Sequence, residues 1–147
     1  MKQFFGSHEN KRDVKGRVSV PASFRAAWSD HRDMTLILRP SFIEGCVEVW
    51  PLPNYERFQA KVDAMEEMSA EQVGLQTQVY SDAEEVELDG QGRILITGYL
   101  AEIAGLSDAV FFMGRGDHFL IWEPVAGKAF REASRAMAPK LSFGAPK

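Results

Sequence analysis

Asp13 with Arg17 and Asp89 with Arg93 are the residues best placed to do chemistry, each pair joined by a turn whose last residue before the arginine is glycine: Asp13-Val14-Lys15-Gly16-Arg17 and Asp89-Gly90-Gln91-Gly92-Arg93. An arginine held on a rigid turn suits a phosphate or the bidentate edge of guanine. Two aspartates in equivalent places could instead share a proton, as in an aspartic-protease dyad. Those sites want Asp-Thr/Ser-Gly, whereas Val14-Lys15 and Gly90-Gln91 follow the aspartates here, and an adjacent arginine keeps each carboxylate ionised. No catalytic residue is assigned, and an enzyme is not expected. Asp13 and Asp89 are read as turn-opening residues that bond their own loop amides, with Gly16 and Gly92 taking the positive φ that the turn needs. A salt bridge from Arg17 or Arg93 to its own aspartate would add little stability at an exposed site, a poor reason to build it twice.

The elements that position these residues occur in duplicate. The second turn begins 76 residues after the first, and each is followed by an alternating segment, Val18-Ser19-Val20 or Ile94-Leu95-Ile96. Val47-Glu48-Val49-Trp50 is echoed by Phe119-Leu120-Ile121-Trp122 at an offset of 72, so the second copy is shorter inside. His8 to Arg12 and Arg17 to Val20 read as two short strands joined by the turn. Pro21 opens a helix with Phe24 and Trp28 on one face. Thr97 is the N-cap of its counterpart, which uses Leu100, Ile103 and Ala104 and stops at Gly105. Strands at Thr35–Leu38 and Val47–Trp50, and again at Ala109–Phe112 and Phe119–Trp122, complete each half. Tyr55, Phe58, Val62 and Met65 recur at helical spacing, and Ser69-Ala70-Glu71-Gln72 is a capping box for a helix to about Tyr80. Pro124 opens a last helix containing Phe130, Ala133 and Met137, and Ala138-Pro139 begins a loose tail to Lys147.

A half of this size buries too little surface to stand alone, so the 147-residue chain is expected to share one core between its halves. The net charge of −4 is unevenly placed. Residues 1–58 carry 9 Lys/Arg and 7 Asp/Glu, residues 59–92 carry 1 and 9, and residues 93–147 carry 7 and 5. The acidity therefore sits in the connecting segment, while Lys11, Arg12, Lys15 and Arg17 oppose only Asp13 around the first turn. A polyanion meets that local charge rather than the total. The N-terminus lacks the apolar stretch of a secretion signal, no apolar run is long enough to span a bilayer, and Cys46 is the single cysteine, all expected of a cytoplasmic protein. His8, His31 and His118 have no partners at metal-site spacing, so no metal and no cofactor is expected. Trp28, Trp50 and Trp122 read as core, and Cys46 as buried and inert.

On these motifs the chain resembles the MraZ family of bacterial transcription regulators, which are tandem domains of the SpoVT/AbrB type. The residues that carry the resemblance are Asp13 to Pro21 with Phe24-Arg25, and Asp89 to Ile96. Gly45-Cys46, Trp50 to Pro53, Ala104-Gly105-Leu106, and Gly114 with Ile121-Trp122 support it. It implies an α+β, β-rich fold in which two swapped-hairpin halves form one AbrB-like barrel, an intramolecular pseudo-dimer with added helices. The division would be a first domain at 4–53, linking helices at 54–82, a second domain at 83–125, and a C-terminal helix and tail at 126–147. It implies a ring-like homo-oligomer that binds double-stranded DNA at short direct repeats upstream of the cell-division and cell-wall gene cluster, represses it, and sits on the nucleoid. Arg17 and Arg93 would be the DNA-contacting arginines, with Lys15 beside the first. Lys11, Arg12 and Lys15 suit phosphates better than bases, and Arg25 either packs or binds. Neither a membrane nor a small-molecule substrate is implied.

The chain departs from the family pattern in several places. Thr97 stands where proline is usual, Gln91 replaces the basic residue seen at Lys15, Glu87-Leu88 replaces Lys11-Arg12, and residues 71–80 hold no arginine. A second reading, a protein-interaction module of the same barrel class with an antitoxin-like role, would use the acidic helices of 54–80 instead of the turns.

Overall fold

The two halves exchange strands. In the computed structural model, which describes residues 3–28, 35–42 and 44–141 (for 139–141 the backbone alone), each half contributes four strands and a short helix. The first half holds β1 (Ser7–Lys11), β2 (Arg17–Ser19), α1 (Ala22–Ala27), β3 (Thr35–Pro40) and β4 (Val47–Pro51). Between the halves lie α2 (Leu52–Asp63), α3 (Ala70–Gln76) and a π-helical turn at Thr77–Ser81. The second half holds β5 (Glu84–Glu87), β6 (Arg93–Leu95), α4 (Gly98–Ala104), β7 (Ala109–Gly114) and β8 (Phe119–Trp122), and α5 (Pro124–Leu141) follows.

The strands that each turn joins are bonded to each other only beside the turn and take their ladders from the other half. β1 crosses to pair with β7, and β5 crosses to pair with β3. β2 pairs with its equivalent β6 across the pseudo-twofold axis, and β4 pairs with β8. The result is a six-stranded antiparallel sheet, ordered β1-β7-β8-β4-β3-β5, and a two-stranded ribbon, β2-β6. A bridge between Arg12 and Val18, and a hydrogen bond from Asn10 Nδ2 to the Ser19 carbonyl (2.7 Å), tie the ribbon to the sheet's edge. The duplicated swapped-hairpin barrel is thus an intramolecular pseudo-dimer of the α+β class. The two strands expected on either side of the first turn are present, and each takes its ladder from the other half, because an extended strand satisfies its ladder with whichever partner the global fold supplies.

The shared core explains why neither half needs to be stable alone. Val18, Phe24, Trp28, Leu36 and Val49 of the first half are buried with Ile94, Leu100, Val110, Phe112 and Ile121 of the second in one cluster. Val18 and Ile94 face each other on the ribbon, so alternation sends their strand neighbours outward. Phe24 meets Phe4, Phe112 and Phe119 with ring centroids 4.9–6.2 Å apart. Satellite clusters lie under the added helices: Trp50, Tyr55, Val62 and Val79 beneath α2 and the π turn, and Phe111, Trp122 and Phe130 beneath α5.

Several local expectations are met and others corrected. Thr97 caps α4, its Oγ1 accepting the Leu100 amide, and Gly105 ends it at φ +66°. Ile103 is corrected: it is 41% exposed, and Ala101 packs inward in its place. Ser69 Oγ accepts the Gln72 amide, but Gln72 Oε1 takes the Met68 amide, one residue before the donor of a reciprocal box. α2 ends at Asp63, before Met65. α5 continues through Pro139 to Leu141, where a tail had been expected. The remainder of that tail, like His31, lies outside the described residues. Cys46 is buried, and burial pushes its thiol up to about 12.

Candidate nucleic-acid interface

Each turn is a closed circuit of hydrogen bonds centred on its aspartate. Asp13 Oδ1 accepts the amides of Lys15 (3.0 Å) and Arg17 (2.9 Å), and Oδ2 accepts Arg17 Nε (2.8 Å). Asp89 repeats this with Gln91 (2.8 Å), the Arg93 amide (2.9 Å) and Arg93 Nε (2.9 Å). The Gly16 and Gly92 amides bond back to the aspartate carbonyls at 2.9 and 3.0 Å. Gly16 (φ +87°) and Gly92 (φ +77°) occupy backbone that other residues enter at a cost. The amide of each arginine holds the carboxyl of its aspartate below the ordinary value, helped at Asp13 by the Arg17 side chain and at Asp89 by the Gln91 amide and then the Arg93 side chain, so both carboxylates stay charged. With their oxygens engaged in this way, neither is poised to share a proton with the other.

The turns also lock to each other. The Ile96 amide bonds the Gly16 carbonyl and the Val20 amide bonds the Gly92 carbonyl, both at 2.9 Å. Between these clamps Arg17 stands opposite Leu95, Val18 opposite Ile94, and Ser19 opposite Arg93. Directly opposed residues in an antiparallel pair share a face. With Val18 and Ile94 in the core, Arg17, Ser19, Arg93 and Leu95 form the outward face. The two arginines lie on its diagonal, a separation of about 7–8 Å between Cα atoms for such neighbours. Their side chains are 34% and 26% exposed. Each guanidinium uses Nε for its aspartate, and among the described residues the terminal nitrogens of both make no hydrogen bond. The salt bridge therefore aims the arginine and leaves the outer edge of its fork open.

Around this shared skeleton the charge differs. The first turn carries Val14 and Lys15 at its exposed tip, the second Gly90 and Gln91. Lys11 is exposed on β1. Arg12 turns inward, its Nη2 donating to the Ile96 carbonyl (3.2 Å) and Nη1 to that of Ser107 (3.3 Å). Arg25 donates from Nε to the Val20 carbonyl (3.1 Å) and lies across the second turn: a Cβ built on Gly92 would come within 2.8 Å of its Nη1. A helix residue of the first half thus supplies a cation beside the turn that has none of its own at the tip. Sequence reasoning left Arg25 open and missed Ser19 and Leu95. Alternation after each turn was the signal for the latter pair, hidden at Leu95 by the apolar run Ile94-Leu95-Ile96.

The histidines lie elsewhere. His8 meets the edge of Phe24, and His118 stacks on Trp50 with centroids 4.0 Å apart. Among the described residues no three His, Cys, Asp or Glu side chains gather as metal ligands, and no helix is long and apolar enough to cross a membrane.

Comparison with known proteins agrees with the duplication. A family model described as "MraZ protein, putative antitoxin-like" matches residues 3–77 and again 79–139. Proteins named transcriptional regulator MraZ are similar over nearly the whole chain. That of Gluconacetobacter diazotrophicus is 38% identical over 148 residues, covering 99% of this chain and 94% of its own length. That of Gluconobacter oxydans is 39% identical, covering 97% and 88%. The Rhodospirillum rubrum protein is 38% identical, covering 97% and 90%.

Proposed function

This chain belongs to the MraZ family, and on that premise we propose that it is a sequence-specific DNA-binding transcriptional regulator. It represses from short direct repeats upstream of the cell-division and cell-wall gene cluster, works in the cytoplasm on the nucleoid, and is not an enzyme. The observation that carries this reading is the outward face of the β2–β6 ribbon, with Arg17 and Arg93 diagonal to each other and their outer nitrogens open. A two-stranded ribbon fits the major groove, and an arginine fork matches the O6/N7 edge of guanine. Lys15 and Lys11 supply phosphate contacts. Arg12 adds its charge while its terminal nitrogens brace the ribbon.

A few phosphate contacts per subunit give weak, salt-sensitive binding, each adding about −0.9 to the log–log salt slope. Affinity then comes from a ring-like homo-oligomer that engages successive repeats, which makes later contacts intramolecular. Repeats about 10 base pairs apart would face one side of the duplex. Self-assembly is supported by the far part of α5, which is exposed from Glu132 to Ala138, with Met137 at 60%.

Fluorescence anisotropy at about 150 mM salt, near the physiological value, tests the reading. The duplexes carry the repeats upstream of this protein's gene, intact or shuffled. Tight binding to the intact duplex alone, lost in Arg17→Ala, is expected. Equal weak binding to both, or none, would overturn the regulator. That outcome would favour the protein-interaction module, for which the acidic segment of α2, α3 and the π-helical turn offers exposed Met68, Val73 and Tyr80.

A further inference from the structure

We propose that Leu95 reads the 5-methyl group of a thymine next to the base held by Arg17, and that Leu95 with Ser19 gives the DNA site of one ribbon a direction. The inference rests on the DNA-binding reading above and concerns the same face.

The ribbon is twofold in its backbone and not in its side chains. Arg17 and Arg93 are equivalent, but the residue opposite Arg17 is Leu95 and the residue opposite Arg93 is Ser19. These two occupy the same place in the duplication, two residues beyond their own arginine. Ser19 shows that the position accepts a small polar side chain, so the fold itself does not demand leucine there. Leu95 is nevertheless 46% exposed. Its Cδ1 lies 3.5 Å from where a Cβ on Gly16 would stand, so one methyl rests against the turn and the rest faces outward.

The thymine methyl is the apolar group that a base edge offers in the major groove. Side chains directly opposed on a ribbon start about 4.5–5.5 Å apart at Cβ, and successive bases on one strand are separated by about 3.4 Å. A leucine opposite an arginine therefore meets the same base pair as that arginine or the next one. Ser19, with a hydroxyl that bonds either kind of base edge, imposes no methyl preference beside Arg93. A ribbon with full twofold symmetry would read a palindrome. This one distinguishes its two ends, so successive copies favour sites that point the same way.

The test replaces each thymine of the bound duplex in turn by 2′-deoxyuridine, which removes the methyl and keeps the pairing. Binding is followed by anisotropy for wild type and Leu95→Ala, with melting curves to establish that the variant is folded. One thymine per repeat, on the same side of each, should lower wild-type affinity about 4-fold when its methyl is removed, the equivalent of about 0.8 kcal/mol for one buried carbon. Leu95→Ala should bind the intact duplex about 4-fold more weakly and lose nothing further at that thymine. The proposal is overturned if uracil has no effect at any position, or if the loss is as large in Leu95→Ala as in wild type. A wild type that cannot tell intact from shuffled repeats would instead remove the regulator reading itself, an outcome visible before any uracil is introduced.

Discussion

The two turns share a skeleton and carry different loads. Hydrogen bonds to Asp13 and Asp89 run to the same donors with lengths matching to within 0.2 Å. The residues carried on that frame diverge: Val14 against Gly90, Lys15 against Gln91, Ser19 against Leu95. Duplication has kept the device that aims an arginine and let the contacts beside it drift. Equivalent arginines then need not do equal work. Arg17 sits in a local field raised by Lys11 and Lys15, whereas beside Arg93 the added cation is Arg25, reaching across from the other half.

The comparison breaks first at the arginines. Arg17→Ala should weaken binding to intact repeats about 5- to 150-fold, the range for losing one bidentate base contact worth roughly 1–3 kcal/mol. Arg93→Ala should lose less. Both should melt within a few degrees of wild type, because exposed ion pairs contribute about 0.2–1 kcal/mol. Anisotropy with melting curves separates the roles. If Arg17→Ala melts early while the folded fraction binds normally, that arginine is structural.

The glycines differ in a way that stability measurements can read. Alanine at either position meets left-handed backbone, at about 1–2 kcal/mol for a residue with a Cβ. At Gly16 the new Cβ would also lie 2.9 Å from the Ile96 carbonyl oxygen, a backbone atom held in place by the ribbon. At Gly92 it would meet the far end of Arg25, a side chain that can shift at the cost of one hydrogen bond to the Val20 carbonyl. Gly16→Ala should therefore lower the denaturant midpoint more than Gly92→Ala, the difference being about 1 kcal/mol or more, as for other overpacked sites.

Much of this was legible in the sequence because the signals are local. Asp-x-x-Gly before a strand specifies the turn, Thr97 and Gly105 delimit α4, and the duplicated order demands a shared core. Strand exchange was not readable from β1 or β2 themselves: Ser7 to Lys11 pairs as well with a strand of either half, and the choice belongs to the closed barrel. That came from the resemblance. Ile103 shows a periodicity argument failing on a short helix, where Ala101 serves the core equally well. Arg25 could be placed only by tertiary structure, because its contact is with a turn 67 positions away.

Exchange of the tip residues sharpens the comparison further. Lys15→Gln gives the first turn the second's amide, and Gln91→Lys does the reverse. Each phosphate contact contributes about −0.9 to the slope of log affinity against log salt. Lys15→Gln should make the slope shallower by about that amount and Gln91→Lys steeper by as much, measured between 50 and 200 mM salt, the interval over which such contacts express themselves. An unchanged slope for Lys15→Gln would take that lysine off the phosphates.

The smallest effect tests the skeleton where the halves are alike. Both aspartates have carboxyl pKa values below the ordinary 3.8, through the arginine amide first, then the Arg17 side chain at Asp13 and the Gln91 amide at Asp89. A carboxyl lowered on folding contributes stability above the unfolded pKa and loses it as pH falls through the folded one. Wild type should therefore lose stability as pH drops below about 4. Glu123, lowered by the Ala126 and Val125 amides at the start of α5, contributes to the same loss, so the aspartate share must be isolated by substitution. Asp13→Asn and Asp89→Asn should each flatten the acid limb of melting temperature against pH, and by the same amount, since the two bond sets are the same. Unequal flattening would mean that the loads at the tips reach back into the frame, and that the turns diverge in structure as well as in what they present.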